Sequence, residues 1–369
     1  MQITFYNIFH NSYFLALPPY IYWLLPIYMK KLSLKDIAKL AGASPSTVSF
    51  VLNGKAKEMR ISEELTAKIL AVSQEAGYQP NQIAVSLRTG RSKMIGVLVE
   101  TITGVFFSTL AKLIEDEMSG TGYKVVHSST DNDGKKGCDI INMLSQRQVD
   151  GYLITPALGM EDSIRDLINR KKPVVFMDSN LPGFDVPYVS VDNYSGVQEG
   201  IELLISKGHK NIGFVTVDIE LDQMEQRTQS YRDTIQKHNL SQDDKLLLKL
   251  PYGLERDEAV SKITNWIKST PKLEAIFFAT NYLGIMGLES LMTLKKRIPE
   301  DVAVICFDDH DLFRLYPPGI TCIQQPMKDI AKTATKLLMD QINHSSSSSS
   351  TPKSSVIQLP VKLIKRGSV

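Results

Sequence analysis

The chain is 369 residues long, 43% hydrophobic and 22% charged, with a formal net charge of +2. That composition excludes a fibrous or largely disordered protein and allows two or three globular domains with sizeable cores. The charge is uneven: between Met29 and Lys93 eleven Lys and Arg face five Asp and Glu, a balance of +6 that leaves −4 elsewhere, so a polyanionic partner is expected at one end only.

Residues 1–28 contain no Lys, Arg, Asp or Glu and are rich in aromatics. They lack a positive n-region and a small-residue cleavage site, and Pro18, Pro19 and Pro26 cut the apolar run into pieces too short to span a bilayer. The plainer reading is a non-native or disordered extension ahead of a start at Met29, with no membrane partner. The sharper alternative is a tether. Cys138, Cys306 and Cys322 are odd in number and far apart, which indicates neither a disulfide framework nor a metal site and suits a cytoplasmic location. No cofactor is expected.

From Ser33 to Asn53 the apolar positions Leu34, Ile37, Ala38 and Ala41, then Val48, Val51 and Leu52, repeat at helical spacing on either side of Gly42. Ser44 is placed as an N-cap and Pro45 at the first helical position. Two short helices with small residues at Ala38, Ala41 and Gly42 have the form of a helix-turn-helix. A third helix follows from Ser62, its stripe carried by Leu65, Ile69, Val72 and Ala76, with Gly77 as stop and Tyr78 packing back on the core. Residues 29–79 thus form a three-helix headpiece. Residues 80–93 read as a linker in which Asn81 can cap a short helix over Gln82 to Leu87.

After Met94 the chain alternates strands and helices. Apolar runs at MIGVLVE, YKVVHSS, GYLITP, PVVFMD, NIGFVTV, LLLKL, AIFFAT and VAVICFDD are separated by helical segments, and VIQLPVKLI reads as one last strand. The pattern requires parallel sheets covered on both faces. About ten strands exceed one comfortable sheet, so two lobes are expected. The serines at 345–350 form a low-complexity solvated loop. There is no P-loop, GxSxG motif, metal spacing or paired nucleophile and base, so the chain does not read as an enzyme.

The stretch SLKDIAKLAGASPSTVSFVLNG, its spacing to ISEEL and AGYQPN, and IAVSLRTGRS running into MIGVLVE together resemble the LacI/GalR family of bacterial transcription regulators. The resemblance covers the chain from Met29 onward. It implies a helix-turn-helix headpiece joined to a two-lobed, periplasmic-binding-protein-like α/β domain of doubly wound sheets over residues 94–369. It further implies double-stranded operator DNA as partner, a sugar-like small-molecule effector in the cleft between the lobes, and assembly as a homodimer. On this reading Ser44, Pro45, Ser46, Thr47, Ser49, Phe50 and Asn53 face DNA. Leu87 is the minor-groove wedge, Ala84 lets two hinge helices pack, and Arg88 and Arg91 reach phosphates. Pro45 and Phe50 depart from the family pattern, so the operator cannot be inferred from relatives.

For the effector, Asp178 and Asp308 end strands, where open α/β sheets place ligands. Arg227 matches the family's ligand-clamping arginine, Asn281 a further contact position, and Phe106 and Phe107 an aromatic that stacks on sugars, with core packing as the alternative for the two rings. Asp192 is equally a helix cap, and His310 and Asp311 either touch ligand or shape a loop. Replacing Arg227 or Asp308 by Ala is expected to remove the ligand response and spare the fold. The remaining alternative is a solute-binding receptor of the same two-lobed fold, possibly tethered by residues 1–28.

Overall fold

Ser33 opens the first helix with reciprocal bonds: its hydroxyl accepts from the Asp36 amide, and the Asp36 carboxylate accepts from the Ser33 amide at 2.8 Å. Helix α1 (Leu34–Ala41) stops at Gly42, whose φ of 67° lies in the left-handed region that glycine enters without steric cost. Helix α2 (Pro45–Leu52) begins as its sequence dictates, with the Ser44 Oγ accepting from the Thr47 amide at 3.1 Å and Pro45 in the first turn. Helix α3 (Glu63–Glu75) is capped by Ser62. Ile37, Ala38, Ala41, Val48, Val51 and Ile69 make the buried core of these three helices, with Leu65, Val72, Ala76 and Tyr78 packed against it. Helix α4 (Gln82–Thr89) follows. The chain divides into two units between Val85 and Ser86.

This computed structural model describes residues 32–80, 82–241, 243–344 and 355–369. The expectations for residues 1–28, for Asn81 as a cap and for the serine run lie outside those residues. Among the described residues no helix is long and apolar enough to cross a membrane.

The second unit is built on two six-stranded sheets. The first contains β1 (Met94–Val99), β2 (Lys124–Ser129), β3 (Gly151–Ile154), β4 (Val174–Met177), β5 (Tyr188–Val191) and β11 (Val356–Leu359), in the order β11-β5-β4-β3-β1-β2. The second contains β6 (Ile212–Asp218), β7 (Leu247–Pro251), β8 (Ala275–Phe278), β9 (Ala303–Phe307), β10 (Thr321–Gln324) and β12 (Lys362–Ile364), in the order β12-β10-β9-β8-β6-β7. The two orders are the same when β1–β5 are matched to β6–β10. All recorded pairings are parallel except β10 with β12, which is antiparallel. The inner strands β3, β4, β8 and β9 are buried along their whole length, which explains their unbroken apolar runs.

Helices on the first sheet are α5 (Val105–Met118), α6 (Gly134–Gln146) and α7 (Glu161–Asn169); those on the second are α8 (Asn193–Ser206), α9 (Asp222–Lys237), α10 (Arg256–Ser269), α11 (Asn281–Thr293) and the short α12 (Asp311–Leu315). Helix α13 (Met327–His344) returns to the first sheet, burying Ile330, Ala331, Ala334 and Leu338 in its core. The chain therefore passes between lobes three times, at Val191–Asn193, Gln324–Met327 and Leu359–Lys362.

Two differences from the sequence reading stand out. VIQLPVKLI is not one strand: Pro360 ends β11 on the first sheet, and β12 begins two residues later on the second, because a proline that cannot donate breaks the ladder there. The strands β5 and β10 have no counterpart in the sequence reading. Each is four residues long and carries hydroxyl or amide side chains, Ser190 in one and Thr321 and Gln324 in the other, so neither shows a distinct apolar run.

Candidate functional site

The residues expected to face DNA are distributed over α2 and α4. Ser44, Pro45, Ser46 and Asn53 are exposed, while Thr47, Ser49 and Phe50 are half-buried. Thr47 and Ser44 hydroxyls share a 2.8 Å hydrogen bond, and Asn53 donates its side-chain amide to the Ser49 carbonyl at 2.6 Å. These bonds hold the polar groups against their own helix and fix its two ends. Phe50 does not belong to the core of the three helices. Leu87 is 72% exposed on α4. Arg88 is exposed on the same helix; the Ala84 side chain lies outside the described residues. Arg91 Nη2 donates to the Ile342 carbonyl at 3.1 Å, near the end of α13.

In the second unit, a cavity of about 270 Å3 opens between the two lobes. From the first lobe, the loop after β1 and the start of α5 contribute Glu100, Thr101, Phe106 and Phe107, and Asp178 stands at the end of β4. From the second come Gln223 and Arg227 on α9, Asn281 and Tyr282 at the start of α11, and Asp308 and His310 after β9. Gln325, on the second crossing, completes the wall. All six residues named for an effector thus line one space. Phe107 also belongs to the first lobe's core, and the Phe106 and Phe107 rings meet edge to face with centroids 4.9 Å apart. Asp192 instead caps α8, accepting from the Ser195 amide, and Asp311 pairs with Arg314 on the surface.

Arg227 is the organising side chain. It is 2% exposed. Its Nε donates to Asn193 Oδ1 at 2.9 Å and its Nη1 to the Ala279 carbonyl at 2.7 Å, while its guanidinium lies 3.6 Å from the Phe307 ring centroid. Asp308 Oδ2 is 3.9 Å from Nη1, and Asp308 Oδ1 accepts from Gln325 Nε2 at 2.6 Å. Asp178 Oδ2 accepts from Gln223 Nε2 at 3.2 Å. Asp178 and Asp308 occupy equivalent places on matched strands β4 and β9, and both have left-handed backbones, with φ of 65° and 69°. Burial, opposed by Arg227 and reinforced by Asp308 and Glu100, pushes the Asp178 carboxyl up to about 7. Burial also raises Asp308 and Glu100, and lowers Arg227 against the pull of the carboxylates. Such a wall offers many fixed acceptors and one largely committed cation, a surface suited to hydroxyl and other donor groups.

Residues 33–81 match the bacterial regulatory proteins of the lacI family, and residues 201–369 match the periplasmic binding protein-like domain. The chain is 31% identical over 337 residues to the sucrose operon repressor of Streptococcus mutans, spanning 91% of this chain and 99% of that protein. The chain belongs to the LacI family. This LacI-family chain also shares its fold with the lac repressor dimer bound to operator and the anti-inducer ONPF, at a TM-score of 0.79, 20% identity and coverage of 92% of this chain and 99% of the other. A LacI-family regulator from Enterococcus faecium with bound ribose gives a TM-score of 0.65 at 25% identity, over 74% of this chain and 98% of that one. As a LacI-family member it is a DNA-binding transcriptional regulator and not an enzyme, which decides against the solute-binding receptor.

Several wall residues of this LacI-family cavity escape a sequence reading. Glu100 reads as the last residue of an apolar strand, Gln223 sits in a helix start that is almost wholly polar, and Gln325 lies in a crossing with no motif. Their only sequence signal is position, each just past the end of a strand or inside the first turn of the following helix.

Proposed function

We propose that this regulator is a repressor whose operator affinity is controlled by a sugar-like effector held between the lobes. The observation that carries the reading is the cavity itself, where side chains from both lobes and a crossing segment converge on a buried guanidinium flanked by Asp178 and Asp308. Directional, charge-assisted hydrogen bonds from such groups reward a polyol and penalise a ligand that leaves them unpaired. The ribose held by the Enterococcus faecium relative supports the same class of ligand.

A ligand that bridges the lobes binds one arrangement of them better than another. That differential affinity is what shifts operator binding. Two chains act together as a homodimer. Ser44, Pro45, Ser46, Thr47, Ser49, Phe50 and Asn53 meet the major groove and its phosphates, Leu87 enters the minor groove, Ala84 allows the paired hinge helices to approach, and Arg88 contacts phosphate. Phe106, Phe107, Asp178, Arg227, Asn281 and Asp308 hold the effector.

The test is a thermal-shift screen of the full chain against sugars and sugar derivatives, with every stabilising compound then added to an operator-binding assay. A compound that raises the melting temperature and changes operator affinity supports the reading. A screen whose stabilising compounds all leave operator affinity unaltered overturns it.

A further inference from the structure

Glu100 stands out among the cavity residues because it is a half-buried carboxylate with no cationic partner. Among the described residues no salt bridge to it is recorded, and the groups that act on it are the Tyr252 hydroxyl, the Asn132 amide and the repelling Asp131 carboxylate. It joins Asp178 and Asp308 on the wall of the same space. Three carboxylates there face one guanidinium. The amino ends of α5 and α11 also open on this wall, through Val105 and Asn281, and each contributes about half a positive charge. Set against three carboxylates and one guanidinium, and with Asp178 only partly ionised at neutral pH, the wall still keeps a net negative balance.

The hydrogen-bonding pattern points the same way. Gln223 is 4% exposed, its amide nitrogen is engaged by Asp178, and its Oε1 is buried without a partner. Asp308 Oδ2 lies 3.9 Å from the nearest guanidinium nitrogen, too far for a hydrogen bond. Gln223 Oε1 and Asp308 Oδ2 are thus two acceptors that a ligand's donor groups would satisfy. Phe106 and Tyr282 add aromatic surface at the same place, and aromatic faces attract cations.

We propose that Glu100 is a specificity-determining residue that selects an effector bearing an ammonium group, an amine-substituted polyol, over neutral sugars and over phosphorylated or carboxylated ones. This rests on the reading of the cavity as a polyol site. An ammonium supplies both the missing charge and up to three donors. A phosphate or carboxylate brings further negative charge to a wall that already lacks positive charge, and leaves the acceptors unmet.

The experiment is calorimetric titration of the full chain at neutral pH with charge-matched sets: glucose, glucosamine, glucuronate and glucose phosphate, with the corresponding galactose and mannose sets. In the set whose stereochemistry fits, the amino sugar should bind at least about tenfold more tightly than its neutral partner, with the acid and phosphate weaker than both. Glu100→Gln should remove most of that preference, weakening the amino sugar about tenfold while changing the neutral partner less than about threefold. A neutral or anionic member that binds as tightly as its amino counterpart overturns the proposal and leaves the polyol reading standing. So does a Glu100→Gln variant that weakens amino and neutral sugars alike. Failure of every set to bind the wild-type chain overturns the polyol reading itself, and this inference with it. Should Glu100→Gln not fold, the wild-type ranking alone decides.

Discussion

Replacing Arg227 by alanine tests whether the cavity's guanidinium is part of the fold. Sequence alone expects the substitution to spare the ligand-free protein, but Arg227 is 2% exposed and ties α9 to Asn193 on α8 and to the Ala279 carbonyl after β8. Each bond from a charged group contributes about 1.5–3 kcal/mol. Removing one member of a buried charge pair costs about 3–5 kcal/mol, because the carboxylate left behind is uncompensated. The two figures describe the same loss and are not summed. At roughly 2–4 °C per kcal/mol for a large domain, the melting midpoint should fall on the order of 10 °C.

Scanning calorimetry of the ligand-free chain measures it. The double variant Arg227→Met with Asp308→Leu should recover more than half of the loss, since a buried pair replaced by apolar groups of similar size is close to neutral. A single variant that melts within about 2 °C of wild type would refute the structural role. So would a double variant no more stable than the single one.

Two further outcomes follow from groups already described. Asp178 titrates near 7 in the folded chain against an ordinary 3.8, so the folded state holds its proton more tightly than the unfolded state does. Its contribution to stability is fully present below the unfolded value and is lost as pH rises through the folded one, and Asp178→Asn should flatten the decline between about pH 4 and pH 7. Urea denaturation across that range checks it, and equal slopes for variant and wild type would count against the assignment. Leu87→Ala should weaken specific operator binding by about tenfold or more and reduce DNA bending, because an apolar wedge kinks the duplex by unstacking a base step. Circular-permutation gel shifts report the bend, and an unchanged angle removes the wedge role.

Much of the fold is legible because its signals are local. Ser44 and Pro45 mark the start of α2 by capping chemistry alone, and Ala275–Phe278 and Ala303–Phe307 announce themselves as buried strands by unbroken apolar runs. Asp178 and Asp308 are legible for a related reason, since a carboxylate directly after such a run stands at a sheet's ligand-bearing edge. What stays hidden depends on contacts distant in sequence. Gln325 lines the cavity only because a crossing brings it beside Asp308, seventeen residues earlier in the chain. Pro360 looks tolerable inside one strand until the sheets show that the residues on its two sides belong to different lobes. Arg91 stands in a basic linker, and only the tertiary structure shows its guanidinium donating to the Ile342 carbonyl, 251 residues later in the chain.

The last crossing has a consequence for synthesis. Strands β11 and β12 come from the final residues of the chain, yet each is the edge of a different sheet, and α13, which covers the first, is made only after nearly all of the second. Neither lobe can close its sheet while its carboxyl-terminal residues are still inside the ribosome. A chain truncated before Val356 loses one edge strand from each lobe at once, so the two sheets are completed together and not one after the other.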